Sequence, residues 1–252
     1  MRTIDFDYDL PPACIAQYPL EPRDSSRMLV LDRQTGEIEH AVFHDLDRYL
    51  VPGDLLVLNE TRVIPARLFA RKLPGGGKIE ILLLNKRDEY TWEAIVGGKG
   101  LGAGKRAQVL DLYGEPIYLG AEILSVLDGS RRLVHFDDPV ETYLPQVGHV
   151  PLPPYIHATL NNPERYQTVY ARSSGSAAAP TAGLHFTPSL IERLKTQGIH
   201  FATVTLHVGL DTFAPVSEDD PRQHHIHTEW CEVTPQAIKT IRDAQQAGGR
   251  VI

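Results

Sequence analysis

Two histidines beside turn signals make the last third of the chain the candidate region for acid–base chemistry. His185 follows the run SAAAPTAGL, and His207 lies near the end of the strand-like run IHFATVTLHV. Imidazole accepts and donates protons near neutral pH, so each histidine is a candidate acid or base. A lone histidine is more often a packed structural residue, and this alternative stays open from the residues alone.

The run AAAPTAGLHF presents almost no side chain in front of a helix start. Small residues let a flat ligand approach the backbone, and the amides of a helix beginning near Pro188 favour an anionic group such as a carboxylate. Tight packing between a helix and a strand would explain the same composition. The candidate ligand contacts in this run are Pro180, Thr181, Ala182 and Gly183.

A third cluster, RQHHIHTEW, holds His224, His225, His227 and Glu229. Its crowded spacing fits no standard zinc finger and lacks a distant pair of ligands. We therefore predict a hydrogen-bonded acid–base cluster or a loop surface, and no metal. The run GKGLGA matches a dinucleotide-binding pattern but opens no helix, so it predicts a flexible hairpin.

The elements around these residues change character along the chain. Between about residues 61 and 138, short β-rich runs alternate with turn signals and no helical pattern stands out, which predicts a small β-barrel. After the proline-rich connector PQVGHVPLPPYI, the pattern becomes α/β. Thr187 with Pro188 and Thr234 with Pro235 each predict a capped helix start.

The predicted fold class is an α/β domain with an inserted small β-barrel domain. Residues 1–60 and 151–252 form the discontinuous α/β catalytic domain in this prediction, and residues 61–150 form the barrel. The final RVI resembles the first three residues of a buried strand. We therefore expect the 252-residue chain to be a fragment whose activity is impaired.

Composition indicates a globular protein in a reducing compartment. The chain is 42% hydrophobic and 23% charged, and its two cysteines form no disulfide framework. An acidic N-terminus and the lack of a long apolar run predict a cytoplasmic protein without a membrane partner. The net charge is −7, yet residues 61–106 carry ten Lys or Arg against four acids, which is compatible with a polyanion-binding face or with a solvated strand surface.

Several long motifs, taken in order, resemble one family. They are FDYDLP, IAQYP, RDSSRMLVLD, PGDLLVLNETRVIPARL, HVPLPPYI, RYQTVYA, AAPTAGLHFT, VTLHVGLDTF and HTEW. Together they are similar to the S-adenosylmethionine:tRNA ribosyltransferase-isomerases of queuosine biosynthesis. The resemblance implies transfer of the ribosyl part of S-adenosylmethionine, the ribosyl-donor substrate, onto 7-aminomethyl-7-deazaguanine at the wobble position of tRNA. The implied products are epoxyqueuosine-tRNA, adenine and methionine.

The resemblance also assigns roles to individual residues. His185 and His207 are the acid–base candidates, and Glu229 is a third catalytic candidate, as an orienter or cation partner. Substrate-binding roles fall to the small-residue run and, beyond it, to Arg62, Arg67, Tyr170, Gly209, Thr212, Phe213, His224 and His227.

Two departures from the family pattern accompany the resemblance. His225 lies beside the expected histidine pair, and family members continue well beyond GGRVI. Part of the active site is therefore expected to be missing. A non-catalytic RNA-binding relative is the alternative function, and a metal hydrolase is a more distant one. We expect a monomer.

Overall fold

The computed structural model covers residues 1–252 and describes all of them except 128, 210–215, 217 and 225–227. The chain divides into two compact units. The first comprises Met1–Arg62 and Pro153–Ile252, and the second comprises Val63–Leu152. No helix in the described part of the chain is both long and apolar enough to span a membrane.

The second unit is a closed antiparallel barrel of six strands. Strands follow one another around it in the order β5, β6, β7, β10, β9 and β8, and β8 pairs back onto β5. The strands are β5 (Arg67–Leu73), β6 (Lys78–Lys86), β7 (Thr91–Gly97), β8 (Arg106–Leu110), β9 (Pro116–Val126) and β10 (Arg131–Phe136).

The barrel interior follows from period-two alternation in these strands. Leu68, Ile81, Val109 and Phe136 point inward and are almost fully buried. The unit also contains the short helix α1 (Leu144–Val147) and strand β11 (Gly148–His149), which pairs with β5. The predicted barrel is therefore confirmed.

The first unit is built around a three-stranded sheet. Strand β13 (His200–His207) lies between β3 (Leu55–Asn59), to which it is parallel, and β14 (Trp230–Glu232), to which it is antiparallel. Residues 250–252 continue the sheet on the other side of β3, since the Leu55 and Val57 N–H groups donate to the carbonyls of Arg250 and Ile252.

Two helices cover opposite faces of this sheet. Helix α2 (Pro188–Thr196) packs Leu190 and Leu194 around Leu56, whereas α3 (Pro235–Gln246) packs Ala244 near Leu55. Adjacent strand residues point to opposite faces, which explains the division. Thr187 and Thr234 cap the two helices by accepting from Leu190 N and Ala237 N, as the sequence predicts. The α/β class is confirmed.

The remaining elements are short. Strands β1 (Arg27–Leu31) and β2 (Ile38–Val42) form a hairpin, and β4 (Thr61–Val63), which begins within the first unit, pairs with β12 (Ser173–Ser176). Within the described residues, the 3₁₀ helices are Thr3–Phe6, Pro12–Cys14, Arg23–Ser25, Phe43–Tyr49, Val140–Thr142, Pro163–Tyr166, Thr181–His185 and Pro221–Gln223.

Candidate functional site

The carboxyl ends of the parallel strands β3 and β13 lie side by side and present Asn59 and His207. The Asn59 amide holds the end of β13 from both sides. Its Nδ2 donates to the Leu206 carbonyl at 2.9 Å, and its Oδ1 accepts from the Leu206 N–H at 3.0 Å. The backbone next to His207 is thereby fixed to β3.

The His207 ring is held on two sides. Its Nδ1 lies 2.8 Å from Thr61 Oγ1, and its ring stacks on Trp230 with centroids 4.9 Å apart and planes at 20°. Burial lowers the pKa of His207 below its ordinary value of about 6.5. The imidazole is therefore neutral at pH 7 and able to accept a proton.

Gly175 of β12 makes room for this ring. A Cβ at Gly175 would lie 2.7 Å from His207 Nε2 and 2.8 Å from Cε1, and its backbone φ of +147° also suits glycine. Nε2 therefore faces bare backbone. A side chain here would displace the imidazole.

One arrangement of the Thr61 hydroxyl proton leaves Nε2 of His207 able to accept a proton. The single Thr61 hydroxyl proton has an acceptor in the Ser173 carbonyl, 3.4 Å away. With the proton directed there, Thr61 Oγ1 accepts from Nδ1–H of His207, and Nε2 keeps its lone pair. This is the tautomer in which Nε2 of His207 can act as a base.

The small-residue run is fastened to the strand end that carries His207. Ala177 N donates to the Val208 carbonyl at 3.0 Å, and the buried Ser176 hydroxyl accepts from Val208 N at 2.9 Å while donating to the Ala178 carbonyl at 2.7 Å. Ala177, Ala178 and Ala179 are buried. The run and the histidine therefore form one rigid arrangement.

Gly183 in this run packs directly on Tyr170. A Cβ at Gly183 would lie 2.2 Å from the Tyr170 hydroxyl oxygen and 3.1 Å from Thr168 Cγ2. Burial raises the pKa of Tyr170 to about 12, so the hydroxyl remains a neutral donor at physiological pH. Gly183 is small because Tyr170 occupies the space, an explanation that sequence reasoning does not supply.

Two buried hydroxyl groups next to the run have no hydrogen-bond partner in the described structure. Tyr166 and Thr168 are 7% and 4% exposed, and neither hydroxyl is paired. Burial raises the pKa of Tyr166, and the nearby Ala179 N–H opposes this rise without reaching hydrogen-bond geometry. Unpaired buried hydroxyls are costly, so they are the groups that a polar ligand would satisfy.

The start of α2 differs from its expected role. Thr187 donates from its hydroxyl to Asp24 Oδ2 at 2.9 Å, which brings a carboxylate to the positive end of this helix. A ligand carboxylate at the same place would meet that negative charge. Binding of an anionic ligand group at these amides stays a prediction.

His185 and Glu229 occupy different surroundings from His207. The His185 ring packs on Phe43 at a centroid distance of 5.3 Å, next to the aromatic Phe186. Glu229 is exposed, and its Oε1 accepts from Gly209 N at 2.8 Å, so it anchors the backbone that follows β13. The structure thus links Glu229 to Gly209 and places His185 on an aromatic cluster.

The predicted arginine contacts fall in different units. Arg62 pairs with Glu164 in the first unit, whereas Arg67 lies in the barrel unit and pairs with Glu80 at 3.0 Å. Both arginines are therefore already paired with carboxylates.

The predicted histidine cluster is described only in part. His224 Nδ1 lies 2.8 Å from Glu218 Oε2. The predictions for Thr212, Phe213 and His227, and the departure at His225, lie outside the described residues. The described residues include no group of three or more His, Cys, Asp or Glu arranged to hold a metal ion.

Sequence reasoning missed Asn59, Thr61, Thr168 and Gly175. No local pattern distinguishes Thr168, because RYQTVY forms the end of a 3₁₀ helix and a turn, where strand alternation does not apply. Gly175 carries no distinguishing signal in SSGS, since its role depends on a histidine 32 positions later.

Fold and site together define an α/β protein with a barrel unit, in which a neutral histidine lies beside a platform of small residues and unpaired hydroxyls. That combination is typical of an enzyme acting on a small polar substrate. A family model described as queuosine biosynthesis protein matches residues 3–252. The chain belongs to the queuosine biosynthesis protein family.

Similar proteins carry a more specific name. A protein of Symbiobacterium thermophilum, 49% identical over all of this chain and 73% of its own length, is named S-adenosylmethionine:tRNA ribosyltransferase-isomerase. A protein of Clostridioides difficile with the same name is 50% identical over the same shares. A crystal structure of S-adenosylmethionine tRNA ribosyltransferase from Thermotoga maritima is 34% identical, covering 98% of this chain and 67% of that one, with a TM-score of 0.42.

Proposed function

We propose that this chain is a transferase and isomerase of queuosine biosynthesis that moves the ribosyl part of S-adenosylmethionine onto 7-aminomethyl-7-deazaguanine in tRNA. The family and the names of its relatives support the enzyme class. The observation that carries the assignment to this site is His207, held neutral with Nε2 facing Gly175. A module that only bound RNA would not need such a base.

The nucleoside part of S-adenosylmethionine would bind on the small-residue run. Ala177–Ala179 add only methyl groups to the run, and the hydroxyls of Thr168 and Tyr166 supply donors that have no other partner in the described structure. The neutral Tyr170 hydroxyl lies against Gly183. Donors of this kind suit the ring nitrogens and ribose oxygens of a nucleoside.

His207 would act as the base. The sulfonium acidifies the hydrogens on the ribose 5′ carbon, and Nε2 takes one of them, so the C–H bond breaks and its electron pair stays on carbon next to the positive sulfur. The Nε2–H bond forms, and Thr61 and Trp230 hold the resulting imidazolium in place. The ribosyl carbanion is then poised for rearrangement.

Departing adenine needs a proton, and we assign its delivery to His185. The ring lies at the end of the 3₁₀ helix Thr181–His185, directly after the platform residues. Glu229 would act through Gly209, whose N–H it accepts, by holding the loop after β13. Contacts of Pro180, Thr181, Ala182, Arg62, Arg67, Thr212, Phe213, His224 and His227 with substrate remain predictions.

The wider setting is also a proposal. A tRNA substrate suggests action in the cytoplasm, with no membrane and no metal taking part, and we expect a monomer. We further propose that the two compact units are the two domains expected from the sequence. Enzyme names among the relatives favour catalysis over the non-catalytic RNA-binding alternative.

Adenine release tests the proposed reaction. Purified protein is mixed with S-adenosylmethionine and a tRNA that carries 7-aminomethyl-7-deazaguanine, and adenine is quantified by chromatography. We expect adenine and methionine in equal amounts, dependent on the modified base. Tight tRNA binding without any adenine would favour the non-catalytic alternative, and adenine release that is lost on metal chelation would favour a metal enzyme.

A further inference from the structure

Apart from Arg132, whose guanidinium donates to the backbone carbonyls of Leu101, Gly129 and Arg131, five cations of the barrel unit have no carboxylate partner in its described part. Most other Lys and Arg residues of this unit are neutralised by carboxylates, as in the pairs of Arg67 with Glu80 and Lys86 with Glu141. These five cations are Arg71, Lys72, Lys78, Lys99 and Lys105. Their charge is therefore available to a partner.

These five cations surround two neighbouring glycine-rich loops. One loop joins β5 to β6 through residues 74–77, and the other joins β7 to β8 through residues 98–105. Lys72 Nζ donates to the Lys99 carbonyl at 3.3 Å and would lie 3.4 Å from a Cβ on Gly100, so the loops are adjacent. Glycines keep the loop backbone accessible to an anion.

A row across four strands extends the charged loops onto the outer face of the barrel. Lys78 of β6 is opposite Arg71 of β5, Arg71 is opposite Gln108 of β8, and Gln108 is opposite Gly120 of β9. Residues opposite one another point to the same face, and neighbouring strands are about 4.8 Å apart. These four residues include no acid, and Asp137, which lies next to Gly120, is already paired with an arginine of β8.

Two unusually exposed tyrosines border the row. Tyr118 is 99% exposed and lies two residues from Gly120 on β9, which places it on the same outward face. Tyr113 is 92% exposed, and Arg71 Nη2 reaches the carbonyl of the following Gly114 at 3.3 Å. Exposed aromatic rings beside cations without carboxylate partners are the combination that single-stranded nucleic acid contacts use.

We infer that this surface, the Tyr118 face (Arg71, Lys78, Tyr113, Tyr118 and the two glycine loops), binds an unpaired stretch of RNA. Free cations attract phosphates, and exposed aromatic rings stack unpaired bases, a combination used for single-stranded nucleic acid. The inference rests on the proposed function, in which the RNA is the substrate tRNA. It assigns the binding of that tRNA to the barrel unit.

Salt-dependent binding of a fluorescently labelled tRNA transcript tests the Tyr118 face. Replacing both cations, Arg71→Gln with Lys78→Gln, should weaken binding and reduce the slope of log K against log salt by about 1 to 2. Tyr118→Ala should weaken binding about 5- to 150-fold with little change of slope, whereas Tyr118→Phe keeps the ring and should bind like wild type. Lys86→Gln, which removes a paired barrel cation, is the matched control.

The outcomes distinguish failure of the proposed RNA-binding surface from failure of the proposed reaction. All variants should keep the wild-type melting temperature and affinity for S-adenosylmethionine. Wild-type affinity and slope in both the cation and Tyr118→Ala variants would overturn the Tyr118 face while leaving the reaction standing. Failure of the wild-type protein to bind tRNA would overturn the reaction as well. A loss with Tyr118→Phe equal to that with Tyr118→Ala would overturn base stacking.

Discussion

Gly183→Ala should disturb the small-residue run through one contact, with the Tyr170 hydroxyl. The added Cβ would lie 2.2 Å from the Tyr170 hydroxyl oxygen, far inside an ordinary contact, while the φ of Gly183 is not in the positive range and permits alanine. Overpacking of this kind costs about 1–3 kcal/mol. Because Tyr170 must move to relieve this contact and thereby disturbs the proposed binding surface, we expect S-adenosylmethionine affinity to drop about 5- to 150-fold.

Removing the opposing oxygen should restore the affinity. In Tyr170→Phe the nearest remaining atoms to the new Cβ are Thr168 Cγ2 at 3.1 Å and the ring Cζ at 3.3 Å, which small shifts accommodate. The double variant Gly183→Ala with Tyr170→Phe should therefore bind S-adenosylmethionine more tightly than Gly183→Ala alone. Calorimetry on the four proteins gives the coupling energy.

The control for this cycle is another glycine in open space. A Cβ added at Gly77 would meet no atom within 4 Å, and Gly77 has no positive φ, so Gly77→Ala should leave affinity and melting temperature unchanged. Unchanged affinity in Gly183→Ala, with its fold intact, would refute the placement of the ligand on this platform. Equal losses in the single and double variants would refute the role of Tyr170.

Two further predictions concern the catalytic histidine and the sheet. Gly175→Ala should lower kcat far more than S-adenosylmethionine affinity, because its Cβ would lie 2.7 Å from His207 Nε2; steady-state kinetics and calorimetry check this. The Arg250 guanidinium holds the pKa of the buried Asp54 carboxyl at about 2. The ionised carboxylate therefore stabilises the fold above pH 4, and its contribution of about 2 kcal/mol at most is lost as the pH falls from 4 through 2. Denaturant unfolding over that range should show this slope in wild type and its loss in Asp54→Asn.

Local signals allowed much of the fold to be predicted. The threonine–proline pairs before α2 and α3 act through hydrogen bonds within four residues, so their sequence suffices to locate the helix starts. The barrel strands likewise follow from alternation and turn residues. The assignment of the two units as a catalytic domain and an inserted barrel domain remains a prediction.

The site depends on contacts that no local pattern encodes. Gly175 leaves space for the His207 ring, and Gly183 leaves space for the Tyr170 hydroxyl. Asn59 forms hydrogen bonds with the Leu206 backbone. The two members of each pair are 13 to 147 residues apart in sequence. Arg62 and Arg67 are close in sequence yet belong to different units, since the chain enters the barrel between them. Tertiary packing brings these residues together. Residue types in the sequence therefore indicated acid–base chemistry, but not which residues contact the catalytic candidates.

The central claim is that His207 removes a hydrogen from the ribose 5′ carbon of S-adenosylmethionine, and isotope exchange tests it most directly. S-adenosylmethionine deuterated at that carbon is incubated with the protein and modified tRNA, and loss of deuterium is followed by mass spectrometry. Wild type should release deuterium, with an acid limb below pH 6.5 because burial lowers the pKa of His207. His207→Gln should bind S-adenosylmethionine normally and release at least 100-fold less, as expected for loss of a general base. Deuterium release from His207→Gln at the wild-type rate would contradict the account.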